Sequence, residues 1–159
     1  MIRPFDWRDI PTLYRYRNQS ICLNNALELT RGRAISPTVL LSYLTPTTGF
    51  YTWVNIENDQ TILAQLNHSP ETPFGRVSFL APERAIKNSG AQALLEHLAK
   101  QAGQRGALNL LAEVDELAPA FEVLRQVGFG VYARQRIWKI LGETQVKAQS
   151  FKWRTAKDK

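Results

Sequence analysis

The stretch that decides the fold is residues 75–114, which reads GRVSFLAPERAIKNSGAQALLEHLAKQAGQRGALNLLAEV. It opens with a short strand-like run, Gly75–Leu80, which Pro82 ends. Apolar residues then recur at helical spacing between Ser89 and Gly103, and Ala107–Val114 is again an apolar, strand-like run. The stretch therefore predicts a strand–helix–strand unit whose two strands lie parallel and are joined by a right-handed crossover.

The ends of the predicted helices carry their own signals. Ser89 with Gln92 three residues later has the pattern of a capping box, so we expect a helix of about four turns that ends at Gly103. Pro119 is placed to open a further helix, and Gly128 is placed to end it as the left-handed C′ residue. Both helices alternate with strands, which is typical of a mixed sheet.

The segments outside this unit also alternate between helix and strand patterns. They are a short helix opened by Asp9 or Thr12, a helix opened by Ser36-Pro37, a β-hairpin of residues 50–56 and 61–66, and a last strand from Phe129 to Leu141. Together they predict the α+β (mixed α/β) class, with one central mixed sheet and helices on both faces. We expect one domain over residues 1–141, followed by a linker or tail over residues 142–159.

Composition excludes several classes of protein. The net charge of the 159 residues is +6, and half of this excess lies after residue 140, so the body lacks a basic stripe and we expect no nucleic-acid partner. The longest charge-free stretch, residues 34–56, holds two prolines and a glycine and therefore predicts no membrane span. Cys22 is the only cysteine and no apolar signal region precedes the first helix, so we expect a cytoplasmic protein.

Metal and hydrolase chemistry lack their sequence patterns. His68, His97 and Cys22 stand far apart, without the spacing of metal ligands, so we expect no metal ion. The sequence contains no Gly-x-Ser-x-Gly elbow and no Walker glycine loop. Serine hydrolases and P-loop nucleotidases are therefore disfavoured.

Two short motifs and the order of the elements resemble one known family. Ile2-Arg3-Pro4 followed by Asp9 is similar to the family's first strand and turn, and Gly128-Phe129 after a helix is similar to its step into the late strands. In this order the predicted elements resemble the GNAT superfamily of N-acetyltransferases over residues 1–141. The resemblance implies acetyl-CoA as co-substrate and transfer of its acetyl group to an amine, which can be a small molecule or a peptide.

The resemblance also implies a coenzyme site. In the family the pantetheine arm pairs with strand backbone, here that of Phe79 and Leu80, and the pyrophosphate lies on amides that open the central helix. Free N–H groups and the positive end of a helix dipole bind anions in general. The implied cofactor-binding set is Phe79, Leu80, Lys87, Asn88, Ser89, Gly90 and Ala91. Of the family's three phosphate-loop positions, which fall on Ile86, Ser89 and Ala91, only Ala91 matches.

The catalytic positions depart from the family pattern. Many members donate a proton from a tyrosine four residues before the Gly-Phe step, and here that residue is Leu124. Two candidates remain: Glu113, whose carboxylate can take a proton from an ammonium substrate, and Tyr132, whose hydroxyl can point into the site. Each has a structural alternative, which is a solvated strand end for Glu113 and ordinary strand packing for Tyr132.

These departures leave a second function open. The alternative is a catalytically degenerate GNAT-like module that serves as a structural or interaction domain. The tail favours a tandem arrangement, because Trp153-Arg154-Thr155-Ala156-Lys157-Asp158 resembles the family's opening strand and turn. We therefore expect a second GNAT-like domain or a homodimer partner, and the alternative for the tail is a merely basic end.

Overall fold

The structure, a computed structural model, describes residues 1–25, 39–40, 49–57 and 59–136. The helix predicted after Ser36-Pro37 lies outside the described residues except for Val39 and Leu40. The tail over residues 142–159 lies outside them as well.

Six strands and three helices lie wholly within the described part of the chain. The strands are β1 (Ile2–Pro4), β2 (Ile21–Cys22), β3 (Phe50–Glu57), β4 (Gln60–Asn67), β5 (Phe74–Ala81) and β6 (Asn109–Leu111). The helices are α1 (Ile10–Tyr16), α2 (Ser89–Gln104) and α3 (Pro119–Gln126), with 3₁₀ turns at Trp7–Asp9 and Glu83–Ala85. Among the described helices, none is long and apolar enough to cross a membrane.

The strands form one mixed sheet in the order β1-β3-β4-β5-β2, in which all neighbours are antiparallel. β6 pairs parallel with the first residues of β5, where Gly75 lies opposite Leu110. The predicted hairpin is confirmed as β3 and β4, and the predicted parallel pair is confirmed as β5 and β6. The sheet therefore changes from antiparallel to parallel pairing at β5.

A β-bulge interrupts β5 near its middle. Gln65 of β4 pairs with Phe79, whereas the next residue, Leu66, pairs with Val77, so Ser78 is the extra residue. On the other side of β5 the partner changes at the same place: β6 pairs with Phe74–Arg76, and β2 pairs with Phe79–Leu80. Because a bulge bends its strand, the two halves of β5 meet different neighbours.

Helices cover both faces of the sheet, as predicted. The cluster on one face contains the apolar stripe of α2, which comprises Leu94, Leu95, Leu98 and Ala102, together with Leu124 of α3. The cluster on the other face contains Leu13 and Tyr16 of α1. The sheet supplies both clusters because adjacent residues of a strand point to opposite faces, as Phe79 and Leu80 do.

The N-terminal segment is fixed by an ion pair. The Arg3 guanidinium donates to both carboxylate oxygens of Asp9, at 2.8 and 2.7 Å, and the Asp6 amide donates to one of them at 2.9 Å. Asp9 is buried, and its side chain holds β1 rather than capping α1. Of the two predicted starts, the helix follows Asp9 and not Thr12.

Two predictions about α2 and α3 have different outcomes. The capping box is not formed, because Asn88 is the N-cap of α2, Ser89 is its first helical residue, and no side chain caps it. Helix α2 also continues past Gly103 to Gln104. In contrast, α3 begins at Pro119 and is followed by Gly128 with φ +96°, as predicted.

Two predicted strands are shortened or absent. The strand predicted over Ala107–Val114 is confined to Asn109–Leu111, because the backbone amide of Glu113, two residues further on, donates to the Leu23 carbonyl and not to β5. The strand predicted from Phe129 has no counterpart in residues 129–136, of which 130–136 are exposed, and its remainder lies outside the described residues. A strand needs a neighbour to satisfy its backbone groups, and none pairs with 129–136 within the described ranges.

Candidate functional site

A groove of about 260 Å³ lies where β5 leads into α2. It is lined by Ile21, Glu83, Arg84, Ile86, Lys87, Ala118, Pro119 and Ala120. Its walls are thus the 3₁₀ turn after β5, the two residues that follow this turn (Ile86 and Lys87), the beginning of α3, and Ile21 of β2. This is the position at which the sequence predicted an anion-binding loop.

The start of α2 offers unsatisfied backbone donors. Asn88 has an extended backbone (φ −80°, ψ 147°), and its side chain donates to Gln60 rather than capping the helix. Among the described residues, the amides of Ser89 and Gly90 have no hydrogen-bond partner. α2 is 16 residues long, so these amides stand at the positive end of a substantial helix dipole. Both features favour a negatively charged ligand.

Gly90 lies in close contact with side chains of β3 at the start of α2. Its carbonyl accepts a hydrogen bond from the Asn55 side chain at 2.9 Å. A Cβ at this position would lie 2.6 Å from Glu57 Oε2 and 3.0 Å from Asn55 Nδ2. The glycine therefore lets the helix approach β3, whatever the loop binds.

Exposed side chains add charge of both signs to the groove. Arg84 and Lys87 are exposed cations, and Glu83 is an exposed anion. Exposed charges are screened by salt, so their contribution to ligand binding is smaller than that of fixed backbone amides. The side chains of Arg84, Lys87 and Glu83 together leave a small positive charge at the groove.

The inner part of the groove is closed by the chain's own backbone. Ile21 lies opposite Leu80 and Cys22 opposite Phe79 in antiparallel register, while β4 occupies the other edge of the same two residues. We call residues 19–24 the strap. Phe79 and Leu80, the predicted pairing residues for a pantetheine arm, are therefore paired on both edges.

The strap is also bonded on either side of this pairing. At its first residue, the Gln19 carbonyl accepts from the Glu83 amide at 2.7 Å. Near its end, the Leu23 amide donates to the Ser78 carbonyl at 3.0 Å, and the Leu23 carbonyl accepts from the Glu113 amide at 2.9 Å. Leu23 thus bridges β5 and the segment that follows β6. While the strap is paired to β5, Phe79 and Leu80 have no backbone edge left to pair with a pantetheine arm.

Glu113 stands at the inner end of the strap. Its carboxylate accepts from Arg76 Nη1 at 2.9 Å and from the Asn25 amide at 2.8 Å. It is therefore neither a free carboxylate nor a solvated strand end. The Glu113 side chain thus links the segment after β6 to Arg76 of β5 and to Asn25, the residue that follows the strap.

The other predicted catalytic positions lie apart from the groove. The side chain of Tyr132 is 91% exposed, so it is not packed in the core, and it lines neither of the two cavities described. Leu124 is buried in the cluster beneath α2 and α3. Of the predicted coenzyme-binding residues, Lys87 lines the groove, whereas Phe79 and Leu80 pair edge to edge with the strap.

A second cavity of about 460 Å³ lies between the sheet edge and the C-terminal half of α2. His97 meets Trp53 edge-on at 5.6 Å between ring centroids, and the Arg105 guanidinium lies 4.2 Å from the Tyr51 ring centre. No motif quoted from the sequence pointed to this cavity. Two spacings could have done so: Tyr51 and Trp53 stand two residues apart on a strand and so share a face, and His97 and Arg105 stand eight residues apart along α2 and its C-cap.

His97 predicts a pH dependence of stability. Burial lowers the pKa of His97, and the nearby charges of Lys100 and Arg105 lower it further. Since the unfolded chain binds the proton more readily, the free energy of unfolding should fall as the pH drops below about 6.5. Urea unfolding between pH 5 and 8 should show this slope, and His97→Gln should flatten it. An equal slope in the variant would assign the dependence to other groups.

Comparison with known proteins supports the fold. No protein-family model matches the chain, and no curated protein matches its sequence. Solved structures do match: an aminoglycoside N-acetyltransferase in complex with CoA has a TM-score of 0.61 at 12% identity, covering 88% of this chain and 98% of that one. An acetyltransferase of Trypanosoma brucei has a TM-score of 0.58 at 15% identity, covering 88% and 99%.

A third structure, a predicted acetyltransferase from Clostridium acetobutylicum with acetyl-CoA, has a TM-score of 0.51 at 19% identity, covering 89% of this chain and 95% of that one. The chain therefore has the GNAT N-acetyltransferase fold, as the sequence resemblance predicted. At these identities the likeness concerns the fold alone.

Proposed function

We propose that the chain is a cytoplasmic N-acetyltransferase domain that moves an acetyl group from acetyl-CoA to an amine. Two neighbouring features carry the proposal: the amides of Ser89 and Gly90 at the start of α2, which have no partner in the described part of the chain, and the groove lined by Arg84, Ile86 and Lys87 just before it. Two structures of the same fold contain CoA or acetyl-CoA, which supports the same ligand class here. The cytoplasmic location is supported by the single cysteine.

The start of α2 and the groove next to it have separate roles in this proposal. The Ser89 and Gly90 amides hold the pyrophosphate, and Arg84 and Lys87 add weaker, screened attraction. The coenzyme supplies an activated acyl thioester when bound. Fixing the anionic end of the ligand to rigid backbone orients the rest of it, and orientation of two reactants contributes several kcal/mol to catalysis.

General acid–base catalysis has little support among the described residues. Leu124 replaces the proton donor, and the Glu113 carboxylate already accepts from Arg76 and Asn25. The proposed transfer therefore depends on positioning, with a neutral amine as the attacking group. We expect a modest rate that rises with pH as more of the amine loses its proton.

Release of the free coenzyme thiol tests the proposed reaction. The protein is incubated with acetyl-CoA and a panel of amines: a polyamine, an amino sugar and a peptide with a free N-terminus. Thiol release that depends on both the protein and one of these amines is the expected result. Demonstrated acetyl-CoA binding without amine-dependent release from any of them would contradict the transferase assignment and favour a binding module.

One observation favours a second candidate function. Because the strap occupies the edge of Phe79 and Leu80, the fold as it stands resembles a GNAT-like module without an open coenzyme path. In that case the domain would act as a structural or interaction module. Its proposed partner is a second GNAT-like domain or a second copy of the chain, which gel filtration or light scattering would detect.

A further inference from the structure

The strap and a thioester arm need the same backbone edge. β5 residues Phe79 and Leu80 have one edge on β4, and their other edge is bonded to Ile21 and Cys22. A strand has only two hydrogen-bonding edges, so a third partner cannot be added. A ligand arm that pairs with these residues must therefore displace the strap.

The strap runs along the inner continuation of the open groove. Ile21 belongs both to the strap and to the lining of the groove that holds Arg84 and Lys87. From there the strap follows β5 inward to the bulge at Ser78. The outer groove is thus open to the anionic end of a coenzyme, whereas the path inward from it is filled by neutral residues of the same chain.

We propose that the strap, residues 19–24, is an intrasteric gate that closes the acyl-arm channel and must leave β5 before acetyl-CoA binds fully. The inference rests on the proposed function, because it concerns the same ligand. In the closed state the strap satisfies the backbone groups that the ligand arm would otherwise use. Apparent affinity for acetyl-CoA is reduced by the fraction of molecules in which the gate is open.

The gate pairs with β5 over only two residues and has one deep anchor. Strand pairing this short opens locally more easily than the long ladders at the centre of the sheet. Leu23 is 1% exposed and belongs to the same core cluster as Leu80, so it holds the closed position. The Glu113 carboxylate supports this anchor through the Asn25 amide.

A reversible covalent lock tests the gate. Phe79→Cys places a thiol opposite Cys22, and directly opposed residues of antiparallel strands have Cβ atoms about 4.5–5.5 Å apart, close to disulfide geometry. Diamide removes the two thiol hydrogens to form the bridge, and dithiothreitol restores them. Acetyl-CoA binding is measured by calorimetry on both forms. We expect at least a tenfold lower affinity in the oxidised form than in the reduced form.

The double variant Phe79→Cys with Cys22→Ser is the matched control. It carries the same core substitution and one thiol, but it cannot form the bridge, so diamide should leave its affinity unchanged. Equal affinity of the oxidised and reduced lock would overturn the gate and leave the proposed coenzyme site standing. Absence of binding in the wild type, the control and both lock forms at millimolar acetyl-CoA would overturn the proposed function and the gate together.

A variant outside the sheet core tests the gate if the Phe79→Cys variant does not fold. Glu113→Gln can keep only one of the two acceptor bonds, so it should loosen the strap and raise acetyl-CoA affinity severalfold. Glu116→Gln is the control. The Glu116 carboxylate accepts from Arg134 at the surface, so its replacement removes the same charge without touching the strap. An affinity of Glu113→Gln no higher than that of Glu116→Gln would overturn the gate.

Hydrogen exchange in the wild type provides a readout without any substitution. Ligands usually slow exchange at their sites, but the gate predicts faster exchange of peptides covering residues 19–24 when acetyl-CoA saturates the protein. Slower or unchanged exchange of this segment, under conditions where calorimetry shows binding, would overturn the gate.

Discussion

Replacing Gly49 with alanine should lower the free energy of unfolding by about 2–4 kcal/mol, the largest stability loss that we expect from a single added methyl group. Gly49 has φ +74°, where an alanine is strained, and its Cβ would lie 2.6 Å from the backbone oxygen of His68. The Gly49 carbonyl also accepts from the His68 amide at 2.8 Å, so a shift would break the bond that extends the β3–β4 ladder beyond the Phe50–Asn67 pair. Urea unfolding measures the loss.

Gly103→Ala is the matched control for this prediction. Gly103 lies inside α2, and apart from its chain neighbours and its own helix backbone no atom of the described residues lies within 4 Å of its Cβ position. Alanine there should raise the free energy of unfolding by about 0.5–1 kcal/mol through helix propensity. The same chemical change thus has opposite signs at two sites, and similar unfolding midpoints for the two variants would contradict the account of the hairpin.

Ser89→Pro should weaken acetyl-CoA binding by about 10- to 100-fold, which corresponds to the loss of one hydrogen bond to a charged phosphate. Proline removes the Ser89 amide proton but suits the first helical position. The extended backbone of Asn88 is also compatible with a following proline, and Ser89 is exposed. The variant should therefore fold normally and lose one anion donor, as calorimetry with acetyl-CoA would show.

Ser89→Ala is the control, since it keeps the amide and removes only the hydroxyl. Its affinity should match that of the wild type within a factor of about two, because the hydroxyl does not cap the helix. Lys87→Ala should cost only a few-fold, since an exposed charge is screened. A larger loss in Lys87→Ala than in Ser89→Pro would show that side-chain charge, not backbone, holds the ligand.

Much of the sheet was predictable because its signals are local. The β3–β4 hairpin follows from aromatic and β-branched residues around a polar turn, and α3 follows from Pro119 and Gly128. Each of these depends on residues close together in the chain. The resemblance of Ile2-Arg3-Pro4 and Asp9 to the family's opening is matched by β1 and its ion pair, which also spans few residues.

The elements that were missed depend on distant partners. β2 is only two residues long and carries no local strand signal, so its pairing with Phe79 and Leu80 could not be read from sequence. The same contact explains the shortened β6, because Leu23 takes the Glu113 amide. Asn88 replaced Ser89 as N-cap, since the chain turns one residue earlier than the capping-box pattern indicated.

The candidate site was predictable only in part for the same reason. The start of α2 is a local feature, and the sequence identified it through Ser89, Gly90 and the following leucines. The predicted role of Phe79 and Leu80 depended on an open strand edge, which is a property of the whole fold. Glu113 was identified as a strand-end carboxylate, but its bonds to Arg76 and Asn25 come from residues 37 and 88 positions away.

Calorimetric titration of the protein with acetyl-CoA shows whether the start of α2 and the groove next to it bind an acyl-CoA. We expect one acetyl-CoA per chain, with higher affinity in Glu113→Gln than in the wild type and lower affinity in Ser89→Pro. Absence of binding at millimolar acetyl-CoA in both the wild type and Glu113→Gln would contradict this expectation, because neither a closed nor a loosened strap would then reveal a coenzyme site.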